Sequence, residues 1–201
     1  MEKIIARIIQ VLFHPLLISV LGVFVLFRTN LYVAFISEQM RQMILFSTFA
    51  ATCLVPLIFI FSFHFIKKRF NEKGSSPEVS IIYLFTAICY YSAYYFISKM
   101  PLTGFYKMGF LAGTLLLISL SLISLRWNIS SFMAGVGAMA GITVAMMLRL
   151  GNFNPFFLAA VLMAGGLTGF SRLALEKNTP AQVYAGYLLG FVILFSVFIY
   201  I

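Results

Sequence analysis

Acidic residues are almost missing from this 201-residue chain, which carries five carboxylates against fourteen Lys and Arg. All five (Glu2, Glu38, Glu72, Glu78 and Glu176) fall at the edges of apolar runs or between them. That leaves no mid-membrane carboxylate of the kind that proton- and cation-coupled transporters use to hold the coupling ion. Cysteine is scarce as well. Cys53 and Cys89 both lie inside apolar runs and read as packing residues, not as a disulfide or a metal cluster. No metal and no cofactor is expected. Charged residues of both signs make up only 9% of the chain, too few to coat a soluble domain of this size.

What the chain has instead is apolar length. Hydrophobic residues make up 62% of it, and the mean hydropathy is +1.04. Seven apolar runs stand out, at 8–27, 43–66, 79–98, 102–125, 132–149, 155–173 and 181–201. Each approaches the ~20 residues that a helix needs to cross a bilayer. They are apolar on all faces, without the period-two alternation of barrel strands. The expected fold is therefore all-α: a polytopic transmembrane bundle of about seven spans, forming a single integral membrane domain over residues 1–201. Pro15, after His14, should kink the first span near its start and leave residues 2–12 as an interfacial amphipathic helix. The N-terminus lacks a small-residue cleavage site followed by a soluble domain, so the first span is expected to be retained. The longest connectors are Arg28–Gln42 and Lys67–Glu78, and neither has room for a second domain.

Small residues recur four apart at Gly109/Gly113, Gly137/Gly141, Gly165/Gly169 and Gly186/Gly190. Missing side chains let helix backbones approach closely where lipid offers no hydrophobic drive, so these pairs predict packing within the C-terminal bundle. Tyr90, Tyr91, Tyr94 and Tyr95 predict an interfacial aromatic belt. The net charge of +9 is scattered through short loops. It fits topology control and attraction to anionic lipid headgroups, and no nucleic-acid partner is expected.

The most specific stretch is 171–190, SRLALEKNTPAQVYAGYLLG, with 126–137, RWNISSFMAGVG, upstream of it. Together they resemble the third and second motifs of the type 2 phosphatidic acid phosphatase superfamily, and more closely a small-loop membrane branch of it. The detailed likeness covers residues 126–191. It implies a six-span core, to which this chain adds one span. In that superfamily one histidine attacks phosphorus, a second protonates the leaving group, and Lys and Arg side chains hold the phosphate. Histidine suits both tasks near neutral pH, and cations offset the charge on the transferring oxygens.

The likeness fails where the chemistry would occur. Ser171 and Arg172 match the third motif, but Asn178 stands at the nucleophilic histidine and Gln182 at its orienting aspartate. Ser130 matches the serine of the second motif, whereas Phe132 replaces its histidine and Asn128 the lysine of the closer relatives. The first motif is echoed only by Arg69 and Ser76-Pro77. The remaining histidines are His14 and His64; His64, beside Lys67 and Lys68, reads as an interfacial residue. The resemblance thus implies a relic phosphate pocket of Arg172, Ser171, Ser130, Asn178, Gln182, Phe132 and Arg69, with no catalytic residue. Read as local chemistry alone, Asn178-Thr179-Pro180 and Ser130-Ser131 are helix starts.

The functional expectation is a catalytically silent lipid-phosphatase-like protein of a bacterial inner membrane. It would bind a lipid phosphate or serve as a membrane subunit or scaffold for a protein partner. A phosphatase acting on a phospholipid or polyprenyl (pyro)phosphate is the first alternative, and a lipid transporter the second. Even numbers of spans separate 69–80, 126–132 and 171–182, which puts all three segments on one face. By that topology nine Lys and Arg lie on the motif face and five on the other. The positive-inside rule then makes the motif face cytoplasmic.

Overall fold

A computed structural model describes residues 2–13, 15, 17–18, 20, 22, 38–61, 76–99, 104–151 and 155–200. Among them the regular structure is helical throughout, with no strand. The helices are α1 (Glu2–Leu12), α2 (Glu38–Phe49), α3 (Ser76–Ser98), α4 (Gly104–Ser124), α5 (Ser131–Leu150), α6 (Pro155–Ala174) and α7 (Pro180–Tyr200). A π-helical turn at Ala50–Leu54 carries α2 onward to Phe61.

Six of these stretches are long and apolar enough to cross a membrane: Arg41–Phe61, Val79–Ser98, Tyr106–Ser124, Ser131–Arg149, Pro155–Ala174 and Pro180–Tyr200. The chain is an all-α, multi-pass membrane protein by these helices. The expected seventh span, 8–27, is not among them. Its first residues belong to α1, the helix ends in a turn at Phe13, and residues 23–27 lie outside the described residues. Two other boundaries shift. Residues 38–42, expected in a connector, already belong to α2, and α3 starts at Ser76, inside the expected Lys67–Glu78 connector.

The described chain forms two compact units. One comprises Met1–Ile18 and Trp127–Ile201, the other Ser19–Arg126.

In the first unit α5 is the central helix. Its span is 56% buried, against 28% for those of α6 and α7. The difference follows from composition, because α5 turns Ala134, Val136, Ala138, Ala140 and Ala145 inward. Its most extensive packing is against α7, and the two helices run parallel. A Cβ added at Gly137 or Gly141 would strike the backbone carbonyl of Tyr187 or Phe191 on α7. Reciprocally, a Cβ at Gly186 or Gly190 would strike the carbonyl of Ser130 or Ala134 on α5. The Gly137/Gly141 and Gly186/Gly190 pairs are therefore spent within the chain, as the sequence predicts, whereas Gly109/Gly113 belongs to the other unit, where a Cβ at Gly113 would meet the Tyr90 ring. Gly165 and Gly169 of α6 similarly face Tyr187 and Met133 at ordinary or slightly tight distances. At the far end, Arg149 donates to the carbonyl of Phe198 at 3.0 Å, satisfying an orphan carbonyl in the last turn of α7. Gly151 then ends α5 in the left-handed conformation (φ 63°) that glycine adopts without strain.

The second unit uses larger groups. Ser80 of α3 and Ser121 of α4 form a buried hydroxyl pair, each donating to the other's backbone carbonyl at 2.9 and 3.0 Å. Ile44, Ala93, Ile97, Tyr106 and Phe110 build a core, and Tyr90 and Tyr94 pack against it. Tyr90 and Tyr94 of the expected tyrosine belt are thus partly buried against that core, while Tyr91 and Tyr95 are exposed. The π-turn in α2 has a local cause. Pro56 has no N–H to give the carbonyl four residues back, and its ring would clash with that carbonyl. The wider turn just before it accommodates the ring, as the Val55 N–H reaches back to the Ala50 carbonyl. Buried Thr48 and Thr52 turn their hydroxyls onto the carbonyls of Ile44 and Thr48.

Candidate functional site

The site lies in the first unit, where the starts of α5 and α7 meet the end of α6. Each helix end is fixed by its own sequence. Ser130 is the N-cap of α5 and accepts from the Met133 N–H at 3.5 Å. Thr179 precedes α7, whose first residue is Pro180. Thr179 and Gln182 form a reciprocal capping box. The Thr179 N–H donates to Gln182 Oε1 at 3.0 Å, and the Gln182 N–H to Thr179 Oγ1 at 3.4 Å. The pattern Thr-Pro-Ala-Gln carries that signal in the sequence, where the expected helix start was assigned to Asn178-Thr179-Pro180 without it. The end of α6 closes with paired bonds, Lys177 N–H to the Arg172 carbonyl and Glu176 N–H to the Leu173 carbonyl. This is a Schellman motif, and its left-handed position holds Glu176 at φ 52°.

Asn178 is the hub. Its Oδ1 accepts from Arg172 Nε at 2.8 Å and from Arg172 Nη2 at 2.6 Å. Its Nδ2 donates to the Asn128 carbonyl at 3.2 Å and to Gln182 Oε1 at 3.1 Å. Both lone pairs and both hydrogens of the amide are used, and the residue is buried. Arg172 is half-buried, and its guanidinium carbon sits 4.5 Å above the Phe132 ring. The Ser130 N–H donates to the Gln182 carbonyl at 3.4 Å, joining the starts of α5 and α7 directly. Ser171 is fully buried, with its hydroxyl on the Thr168 carbonyl at 2.9 Å.

Six of the seven residues expected at the pocket thus share one end of the unit: Arg172, Asn178, Gln182, Phe132, Ser130 and Ser171. The first four touch in one network, Ser130 joins it through its backbone, and Ser171 turns back into its own helix. Arg69 lies outside the described residues, as do His64 and Lys67. Glu176, one turn beyond Arg172, is exposed, and its carboxylate forms no ion pair among the described residues. The motif spacing sets Asn128 at a lost lysine, but it is the Asn128 main-chain carbonyl that Asn178 uses.

The chemistry on offer is limited. An amide with all four positions engaged is neither a nucleophile nor an acid, and Phe132 supplies no proton. The remaining assets are a guanidinium, an aromatic ring, and two parallel helix starts whose dipoles favour negative charge. No family model, no curated protein and no solved structure matches this chain.

Proposed function

We propose that the chain is a catalytically silent relative of the type 2 phosphatidic acid phosphatases, serving as a membrane subunit or scaffold in a bacterial inner membrane. The observation that carries this reading is the use made of Asn178. At the position of the family's nucleophile stands an amide with every hydrogen-bonding position engaged within the chain. The resemblance gains support from one contact. Residues 178 and 182 touch through their side chains, as a histidine and its orienting aspartate would. In place of the catalytic pair stands an amide pair at the start of α7, and Asn178 also reaches across to the Asn128 carbonyl ahead of α5. The test is phosphate release by the purified protein from phosphatidate and from polyprenyl pyrophosphate. Background rates are expected, and turnover abolished by Asn178→Ala would overturn the reading.

The proposal includes seven crossings, the first made by the chain that follows Pro15, with the motif face in the cytoplasm. Labelling of Gly74→Cys in intact cells by a membrane-impermeant thiol reagent would refute that orientation.

A second reading, lipid-phosphate binding, is favoured by one arrangement. The parallel course of α5 and α7 brings two helix starts beside Arg172, all three attractive to an anion. Arg172→Ala should then reduce the anionic lipid that co-purifies with the protein. Unchanged lipid content by mass spectrometry would eliminate this reading and leave the scaffold role standing.

A further inference from the structure

We propose that α1 is a surface-lying helix, embedded in the lipid interface at the same membrane face as the Arg172–Asn178 network.

Ile18 packs against the first turn of α5, 3.2 Å from where a Cβ on Gly135 would stand. Gly135 is five residues beyond the N-cap Ser130, so Ile18 lies only about 7–8 Å below the start of α5. The turn at Phe13 is five residues further back along the chain. Five helical residues rise about 7–8 Å, so a chain that descends from Phe13 to Ile18 sets the end of α1 at the boundary of the span, on the face where α5 and α7 begin.

From there α1 has three courses. Running back through the hydrocarbon would put Glu2 and Arg7 among acyl chains, where an ionised side chain is costly. Its eleven residues reach on the order of 16 Å, about half of a hydrocarbon core. Standing out in water would hydrate four large apolar side chains. Ile4, Ile8 and Leu12 repeat every fourth residue, Ile5 lies beside them, and they are 64%, 63%, 60% and 53% exposed. Lying along the surface satisfies both ends of this conflict. The Ile4–Ile5–Ile8–Leu12 stripe enters the acyl boundary, while exposed Arg7 and half-exposed Gln10, on the other side of the helix, meet headgroups and water.

The protein itself covers a different side. Ala6 is completely buried, and α1 packs against α6 within its own unit. The apolar stripe is therefore left over after the helix has docked. Arg7 makes anionic lipid the complementary surface.

The experiment places an environment-sensitive fluorophore at Ile8→Cys or at Arg7→Cys in the full chain. Cys53 and Cys89 are replaced by alanine, and the protein is reconstituted in vesicles of phosphatidylcholine with one-third phosphatidylglycerol. The expected result is several-fold stronger quenching by shallow spin-labelled lipid at position 8 than at position 7, and the reverse for aqueous iodide. Equal iodide access at both positions would overturn the proposal, since the helix would then stand in water. Strongest quenching at position 8 by spin labels near the bilayer centre would also overturn it, because the helix would then be part of a crossing. So would thiol cross-linking of Ile8→Cys between copies, which would make a second chain the occupant. Circular dichroism and size-exclusion behaviour matched to the unlabelled protein establish that each variant has folded.

Discussion

The two units solve the same problem, holding apolar helices together inside lipid, with opposite materials. In the first, α5 and α7 approach until glycine on one helix meets carbonyl on the other. In the second, α3 and α4 are joined by a hydroxyl pair and by rings around Tyr106 and Phe110. Lipid is as apolar as leucine, so neither contact is driven by water release. Close packing and polar bonds must supply the affinity. The glycine contact leaves no atom free to move, because what stands opposite is backbone. The second contact ends on side chains that rotate. Sensitivity to added volume should therefore differ sharply between the units.

The largest expected effect tests that difference. Gly190→Ala and Gly137→Ala each place a methyl onto backbone and should destabilise by about 3 kcal/mol or more, the upper end of overpacking costs. Gly113→Ala meets only the Tyr90 ring, at 2.8 Å, and should cost about 1 kcal/mol as the ring shifts. Reversible unfolding in mixed micelles would measure both. Similar losses in the two units would remove the distinction between backbone and side-chain contacts.

Next comes Asn178→Ala. It strips the amide from Arg172, Gln182 and the Asn128 carbonyl together and should cost about 2–3 kcal/mol, as expected when a polar network is left partly satisfied. Gln182→Ala removes the one oxygen that accepts from both the hub and the capping box and should cost about 1–2 kcal/mol. A double-mutant cycle between the two should show coupling, because they share a bond. Strict additivity would mean that the network is not a unit.

How much of this was legible in the residues differs between fold and site. Five of the span positions follow from apolar length, since 79–98, 102–125, 132–149, 155–173 and 181–201 each overlap a described helix almost completely. Of the 8–27 run, residues 23–27 lie outside the described residues, and apolar length alone does not give the direction of its first turns. The stripe of Ile4, Ile5, Ile8 and Leu12 is equally apolar whether it crosses lipid or lies on it. At the site, motif spacing grouped Arg172, Asn178, Gln182 and Phe132. It could not show which atoms meet, because Asn178 reaches across to a carbonyl fifty residues away in the chain. Backbone acceptors leave no mark in a sequence, whereas the capping box Thr179–Gln182 does and can be found by its spacing.

In the second unit, Ser80→Ala and Ser121→Ala should each cost about 1 kcal/mol, with a coupling energy near the ~0.6 kcal/mol average for polar pairs inside membranes. The modest value follows from the partners, because a carbonyl already bonded within its helix loses little when a hydroxyl leaves. A larger loss than for Asn178→Ala would show that the hydroxyl pair, not the amide hub, is the stronger polar fastening in the chain.

The smallest effect has the opposite sign. Glu176 occupies the left-handed position that ends α6, where a side chain crowds the following carbonyl at a cost of roughly 1–2 kcal/mol. Glycine there would relieve the strain, but its freer unfolded chain would take back about 0.5–1 kcal/mol. Glu176→Gly should therefore stabilise the protein by about 0.5–1 kcal/mol. Because the carboxylate is exposed and forms no ion pair among the described residues, little else should be lost. Glu176→Ala separates the two contributions, since alanine keeps the crowding Cβ and removes only the charge. It should leave stability within about 0.5 kcal/mol of the parent, as for surface changes away from special contacts. If alanine stabilised as much as glycine, the carboxylate and not the backbone would be the burden, and the strain argument for this turn would fail.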